Sequence, residues 1–227
     1  HADMGLAARF RQRFAFAPDA LAAHAYRAGQ PAGPLLLLDD DRAVVRVAQG
    51  GLHGTHWWLL QGLQATVVEG LHGAGRSPNR QCFAKFDGHQ VTTHAGWDGP
   101  VITRLHLPHH AKAARPGTVE SDEILPFNDG LRVLWRDATG VYLLTPYAAQ
   151  QLYPRAESDE AADAPEHPDA QVPQAQPLLH MALSPDERFI AVGDQGSQHL
   201  LLNPRGEVLG RWAPLSACAH HATFTHD

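Results

Sequence analysis

The chain has 227 residues, a formal net charge of −6 and a sequence pI near 6.2. This length is that of one large domain or two small ones and suffices to bury a substantial core. The acidic balance lacks the basic footprint of nucleic-acid-binding proteins and argues against a nucleic acid as partner. No apolar run of about 18 residues occurs, so the sequence predicts no membrane span.

Residues 1–30 are interpreted as an N-terminal extension that packs on the outside of the main body, with an exposed tail as the alternative. Within it, residues 19–28 predict a short helix because Pro18 precedes them and Gly29 follows them. No charged region followed by an apolar core opens the chain, which favours a cytoplasmic protein. The first four residues resemble a vector remnant, so a periplasmic protein whose signal peptide was removed stays open.

The segment from Leu178 to Pro214 predicts four short strands separated by three turns. The strand candidates are 180–183, 189–192, 199–202 and 208–212. In the first turn, Pro185 presets one backbone angle, and Ser184 and Asp186 can bond back to the main chain. Four strands without helical periodicity in about 35 residues have the size of one propeller blade, with two hairpins of a β-sandwich as the alternative.

This segment contains SPDERFIAVGDQGSQHLLLNPRGEVLGRW, which resembles the blades of WD40-like and related bacterial β-propeller repeat proteins. The resemblance covers residues 178–214. It lacks the Gly-His and Trp-Asp dipeptides of a strict WD40 repeat, so the subfamily is not indicated. The resemblance implies an all-β fold for residues 31–227, a propeller-like array of four-stranded antiparallel blades.

Other parts of the chain are looser copies of this segment. Residues 131–146 align with residues 189–204 without a gap, and extending the alignment backwards places Asp122 on His180. The C-terminal residues 221–227 align with residues 180–186 at a period of 41 residues, which is typical of four-stranded blades.

The count is then about four blades and a C-terminal strand. If that strand lies innermost in a blade whose outer strands come from residues 35–48, the propeller closes with about five blades. The alternative is an incomplete propeller. Residues 155–176 are acidic and rich in proline and alanine, and they predict a mobile loop between blades because they offer too little apolar surface to offset the entropy of ordering.

Sixteen histidines are present, but none of their spacings matches a known metal-ligand framework. The repeat nevertheless places His180, His221 and Asp122 at one blade position, the start of the innermost strand. Equivalent positions of successive blades converge on the central channel of a propeller. Two imidazoles and a carboxylate there could hold a divalent metal; polar side chains that line the channel and bind water are the favoured interpretation.

Nucleophilic catalysis is not indicated, so no catalytic residue is assigned. The chain has no Gly-x-Ser-x-Gly elbow. Cys82 and Cys218 lie far apart without a partner motif, which favours two buried thiols, with a disulfide as the alternative.

The sequence favours a non-catalytic binding or scaffolding module that presents a propeller face to a protein partner. The alternative is a metal-dependent hydrolase or lyase with its site in the channel. Apart from that metal, no cofactor is predicted, and the oligomeric state is not indicated. Both functions are analogies at the level of the fold.

Overall fold

The computed structural model describes residues 31–48, 55–62, 64–108, 123–137, 140–154, 178–194, 199–212 and 224. These residues contain β-strands and turns but no helix, and hence no helix that could cross a membrane. The predicted helix at 19–28 and the predicted mobile loop at 155–176 lie outside the described residues.

Sixteen strands form four antiparallel sheets of four strands each, and we number these sheets as blades 1 to 4. Blade 1 contains β1 (Pro31–Leu37), β2 (Arg42–Ala48), β3 (Thr55–Gln61) and β4 (Gln64–Val67). Blade 2 contains β5 (Gly73–Arg76), β6 (Cys82–Phe86), β7 (Gln90–Ala95) and β8 (Val101–His106). Blade 3 contains β9 (Glu123–Pro126), β10 (Val133–Arg136), β11 (Val141–Leu144) and β12 (Ala149–Tyr153). Blade 4 contains β13 (Leu178–Leu183), β14 (Ile190–Asp194), β15 (His199–Leu202) and β16 (Val208–Trp212).

The strand order within every blade follows the chain, so each blade is an up-and-down meander. The four strands predicted in Leu178–Pro214 are confirmed as β13 to β16. Residues 35–48, interpreted above as outer strands of a closing blade, instead belong to the first and second strands of blade 1. Blade 1 therefore has four strands from residues 31–67 alone.

The first strands of blades 2, 3 and 4 lie next to one another, because β9 packs against both β5 and β13. Alternation of side chains along each strand gives every blade two apolar faces. In β10, Leu134 points towards blade 4 and Trp135 points towards blade 2. Four separate apolar clusters result among the described residues. Three of them join blades 1 and 2, blades 2 and 3, and blades 3 and 4, and the fourth lies on the other face of blade 1.

The backbones of blades 2 and 3 approach each other closely at Gly75 of β5. A Cβ atom on Gly75 would lie 1.5 Å from the carbonyl oxygen of Ile124 in β9. Only glycine, which has no Cβ atom, allows the two backbones to come this close.

The first turn, between the first and second strands, has the same hydrogen bond in blades 2, 3 and 4. The amides of Ser77, Phe127 and Ser184 each donate to the carbonyl five residues later, at 2.9 Å. In each of these three blades, the residue three positions after the donor has a positive φ: Arg80, Gly130 and Glu187. Phe127 is therefore the structural equivalent of Ser184. The ungapped alignment, extended to this turn, differs from that equivalence by one residue.

The alignment of 131–146 with 189–204 is therefore wrong by one residue in the first two strands. It is right in the third strand, because Leu144 pairs with Val133 just as Leu202 pairs with Ile190. The pairing register explains the difference: four residues separate the last pair, Arg136 and Val141, in blade 3, whereas five separate Gly193 and His199 in blade 4.

Candidate interaction face

The first and third turns of a meander lie at the same end of the blade. Hydrogen bonds between blades bring the first turns side by side: the Asn79 amide donates to Asn128 Oδ1 at 2.9 Å, and the Asn128 amide donates to Glu187 Oε1. Arg42 of the first turn of blade 1 reaches Asp98 of the third turn of blade 2. We call the surface formed by the first and third turns the turn face.

Two aspartate–arginine pairs with the same spacing stiffen the turn face. Arg42 Nε donates to Asp39 and Arg132 Nε donates to Asp129, both at 2.7 Å. The remaining guanidinium nitrogens extend to the next blade, where Arg132 Nη2 lies 3.4 Å from Glu187 Oε2. The hydrogen bond to Asp98, followed by that to Asp39, raises the pKa of Arg42. Exposed pairs of this kind contribute little stability each, so their main effect is to fix the direction of the turns.

Two Ser-Pro turns use a second device. The Ser184 hydroxyl donates to Asp186 Oδ1 at 2.6 Å and accepts from the Phe189 amide at 2.9 Å. Ser77 makes the same two hydrogen bonds, with Asn79 and with the Cys82 amide, in blade 2. The Ser184 hydroxyl, followed by the Arg188 amide, holds the pKa of Asp186 below its usual value. The carboxylate is therefore the form that the turn stabilises.

Large apolar side chains project from this stiffened surface. Tyr147, in the third turn of blade 3, is 96% exposed, and Leu131, in the first turn of that blade, is 47% exposed. Val101 and Ile102, which directly follow the third turn of blade 2, are also exposed. Ile102 packs over Gly130, the chain neighbour of Leu131, since a Cβ atom on Gly130 would lie 2.6 Å from Ile102 Cδ1. Exposed apolar residues that form a contiguous patch are typical of protein-binding surfaces.

Of the three residues predicted to hold a metal, only His180 lies among the described residues. Its side chain is buried, with 2% exposed. The tip of the ring fills the place of a side chain on Gly193, since a Cβ atom there would lie 2.1 Å from His180 Nε2. The face of blade 4 that bears His180 points away from blade 3.

His180 belongs to a row of rings that crosses blade 4. The strand register puts His180, Gly193, His199 and Trp212 opposite one another in turn. The His180 and His199 ring centroids are 5.3 Å apart, and the His199 ring stacks on Trp212 at 5.5 Å. These ring contacts pack His180 across the sheet.

Asp122 and His221 lie outside the described residues. The corrected turn equivalence puts Glu123, and not Asp122, at the position of His180, and it puts Gly73 there in blade 2. Among the described residues, no group of three or more His, Cys, Asp or Glu side chains could hold a metal ion. The site at His180, His221 and Asp122 stays a prediction.

Glu123 takes part in a junction between blades 3 and 4. Its carboxylate accepts from Arg136 Nε at 3.0 Å, and Arg136 Nη1 donates to the carbonyl oxygen of Leu178 at 2.6 Å. Arg136 is buried, and a buried charge needs hydrogen-bond partners. These two bonds supply them. The contacts described for Glu123 are thus structural ones.

Cys82 is a free, buried thiol, which confirms the sequence interpretation for this residue. Its Sγ lies 3.3 Å from the carbonyl oxygen of Asn128 in the next blade. Burial, followed by the charges of Asp129 and Glu187, raises the pKa of the thiol. Such a cysteine is a poor nucleophile. Cys218 lies outside the described residues.

Substitution of Gly193 by alanine is expected to lower the free energy of unfolding by about 2 kcal/mol, because the new methyl group overlaps the His180 ring. Urea denaturation measures this change. In a double-mutant cycle, His180→Ala removes the overlapping ring, so the double variant should lose less stability than the two single losses added together. Strict additivity would show that the ring does not occupy this space.

No protein-family model matches the chain, and no curated protein matches it. Among solved structures, the chain is similar to the beta-propeller domain of Cps50 (Swd1) from Myceliophteria thermophila, with a TM-score of 0.51 and 9% sequence identity. The match covers 80% of this chain. The fold is propeller-like. This confirms the predicted all-β, propeller-like array of four-stranded antiparallel blades. The match covers 56% of the Cps50 domain, so the chain spans little more than half of that propeller.

The turn face was not among the sites expected from the sequence. Two repeated signals pointed to it: an aspartate three residues before an arginine at 39/42 and 129/132, and a Ser-Pro pair at 77–78 and 184–185. Both recur at the same turn of different blades.

Proposed function

We propose that this propeller is a non-catalytic binding or scaffolding module, and that its protein partner docks on the turn face. The observation that supports the proposal is the set of exposed apolar side chains in or directly after these turns, Leu131, Ile102, Val101 and Tyr147, on a face whose first turns are joined by hydrogen bonds between blades. Turns that are already ordered lose little conformational entropy on binding, which favours affinity.

The charges around these residues suit the rim of an interface. Asp129 and Arg132 pair with each other, and Arg132 also meets Glu187. Paired charges can remain at a solvated rim while a partner covers the apolar residues between them. Tyr147 is the expected anchor, since a tyrosine adds a large apolar area and a polar tip, and tyrosines are enriched among the residues that contribute most to binding.

The test compares affinity capture by the immobilised full chain and by a Leu131→Ser/Tyr147→Ser double variant, using extract of the cells that make the protein. Both side chains are exposed, so stability should change by no more than about 0.5 kcal/mol each. Proteins bound through the turn face should be depleted about tenfold or more, as expected from the loss of a binding anchor. Quantitative mass spectrometry of the captured proteins gives the ratio.

His89→Asp is the matched control, because His89 is exposed in the second turn of blade 2, at the opposite end of the blade. It should capture the same proteins as the unmodified chain. Equal capture by all three baits would rule out the turn face as the docking surface.

A further inference from the structure

The outermost strand of blade 4, β16, carries more exposed apolar surface than the outermost strands of the other blades. Val208, Leu209 and Trp212 are 39–50% exposed. The equivalent strands β4 and β12 contain no exposed large apolar residue, and the two in β8 lie at its first two positions, directly after the third turn. Proteins normally keep outer strands polar, short or bulged because an unpaired apolar edge invites pairing with another strand.

No described strand covers the outer edge of β16. Among the described strands, β16 pairs only with β15, so the backbone groups on its other side are not used within the sheet. At its centre is Gly210, and a Cβ atom there would have no other atom within 4 Å. A strand approaching this edge would meet no side chain at the middle position.

The row of rings across blade 4 fixes the orientation of the exposed Trp212 side chain. Its indole stacks on His199 with an interplanar angle of 13°, and His199 is buried. An aromatic side chain that is already fixed in this way loses little rotamer entropy on binding.

Charge indicates which kind of strand would fit. Arg211 is the only charged residue of β16, is exposed, and forms no ion pair with any described residue. A carboxylate on a neighbouring strand would meet this guanidinium, whereas a second copy of β16 would bring another Arg211 and no acidic residue. Opposite charges across two strands are favourable and like charges are unfavourable. The charge pattern therefore favours a different chain over self-pairing.

We propose that β16 binds an extended strand of a partner protein by antiparallel β-addition, with a carboxylate of that strand next to Arg211 and β-branched or apolar residues next to Val208 and Trp212. In this mode, main-chain hydrogen bonds supply affinity and the side chains supply specificity. The site is separate from the turn face and goes beyond the function proposed above.

The test uses the full chain and a capped heptapeptide, Thr-Val-Glu-Val-Thr-Val-Thr, with binding measured by isothermal titration calorimetry. A second peptide has its alternate backbone amides N-methylated, and a third has lysine in place of glutamate. The unmodified peptide should bind saturably. The N-methylated peptide should bind about tenfold more weakly or worse, because it cannot donate the hydrogen bonds of a strand pair.

The matched protein variant is Arg211→Glu, whose exposed side chain lets the fold be kept, as circular dichroism would check. It should weaken the glutamate peptide about fivefold and restore binding of the lysine peptide, as expected for an exposed charge pair. The turn-face variant Leu131→Ser/Tyr147→Ser should bind the peptide as the unmodified chain does, so failure of one proposal leaves the other standing.

Three results would overturn the proposal. One is the absence of saturable binding by the glutamate peptide. Another is equal binding of the N-methylated peptide, which would indicate adhesion through side chains alone. The third is dimerisation of the chain in sedimentation experiments that Arg211→Glu abolishes or strengthens, since β16 would then pair with a second copy.

Discussion

Replacement of Gly75 by alanine is expected to lower the free energy of unfolding by about 3 kcal/mol, among the larger effects of a single methyl group. A Cβ atom at this position would lie 1.5 Å from the carbonyl oxygen of Ile124. The obstacle is backbone, which cannot swing aside as a flexible side chain can, so blades 2 and 3 would have to separate. Linear extrapolation of urea denaturation curves measures the loss.

Gly210→Ala is the control for this substitution, because Gly210 also lies in a strand but has open space around its Cα. Its effect should stay within about 0.5 kcal/mol. A similar loss in the two variants would mean that the entropy of glycine, and not the close approach of the blades, determines the result.

Replacement of Trp135 by alanine is expected to cost about 4 kcal/mol, because a large buried side chain leaves a cavity that the neighbouring strands cannot fill. Trp135 is 0% exposed in the cluster between blades 2 and 3. Its ring meets the Phe86 ring edge to face at 4.7 Å. The measurement is again the free energy of unfolding in urea.

Trp135→Phe keeps an aromatic ring but removes the indole nitrogen, so it separates the effect of the ring from the effect of the polar atom. The indole Nε1 is buried and has no hydrogen-bond partner among the described residues, so its removal is expected to lose no bond. The phenylalanine variant should lose about 1–2 kcal/mol, which reflects the smaller ring volume alone. A loss as large as that of the alanine variant would indicate that the Nε1 group has a partner after all.

The strands of blade 4 could be predicted from the sequence because their signals are local. Ser184, Pro185 and Asp186 form the turn through hydrogen bonds that span five residues or fewer. The apolar runs on either side of the turn then pair as antiparallel strands. Turn chemistry and alternation together determine a meander before any long-range contact forms.

The register between repeats could not be predicted from the ungapped alignment. One extra residue between the last paired residues of β14 and β15 leaves the apolar pattern almost unchanged, yet it exchanges Asp122 for Glu123 at the position of His180. A shift of one residue moves a side chain to the other face of a strand, so a candidate site based on an alignment is sensitive to it.

The environment of His180 and the turn face depend on contacts between residues far apart in the chain. The space for the His180 ring exists because its cross-strand neighbour is Gly193. Asn128 meets Glu187 only because blades 3 and 4 pack side by side. Strand periodicity states which side chains share a face, but not which face a neighbouring blade covers.

The three apolar clusters, each shared by two successive blades, have a consequence for how the chain unfolds. Since every blade draws its cohesion from its immediate neighbours, the stability approximates a sum along a line, as in solenoid repeats. Loss of packing at blade 4 leaves the cluster between blades 1 and 2 unchanged. Loss of packing between blades 2 and 3 separates blades 1 and 2 from blades 3 and 4. Amide protection is thus expected to be graded along the chain, with fraying that begins at the end blades.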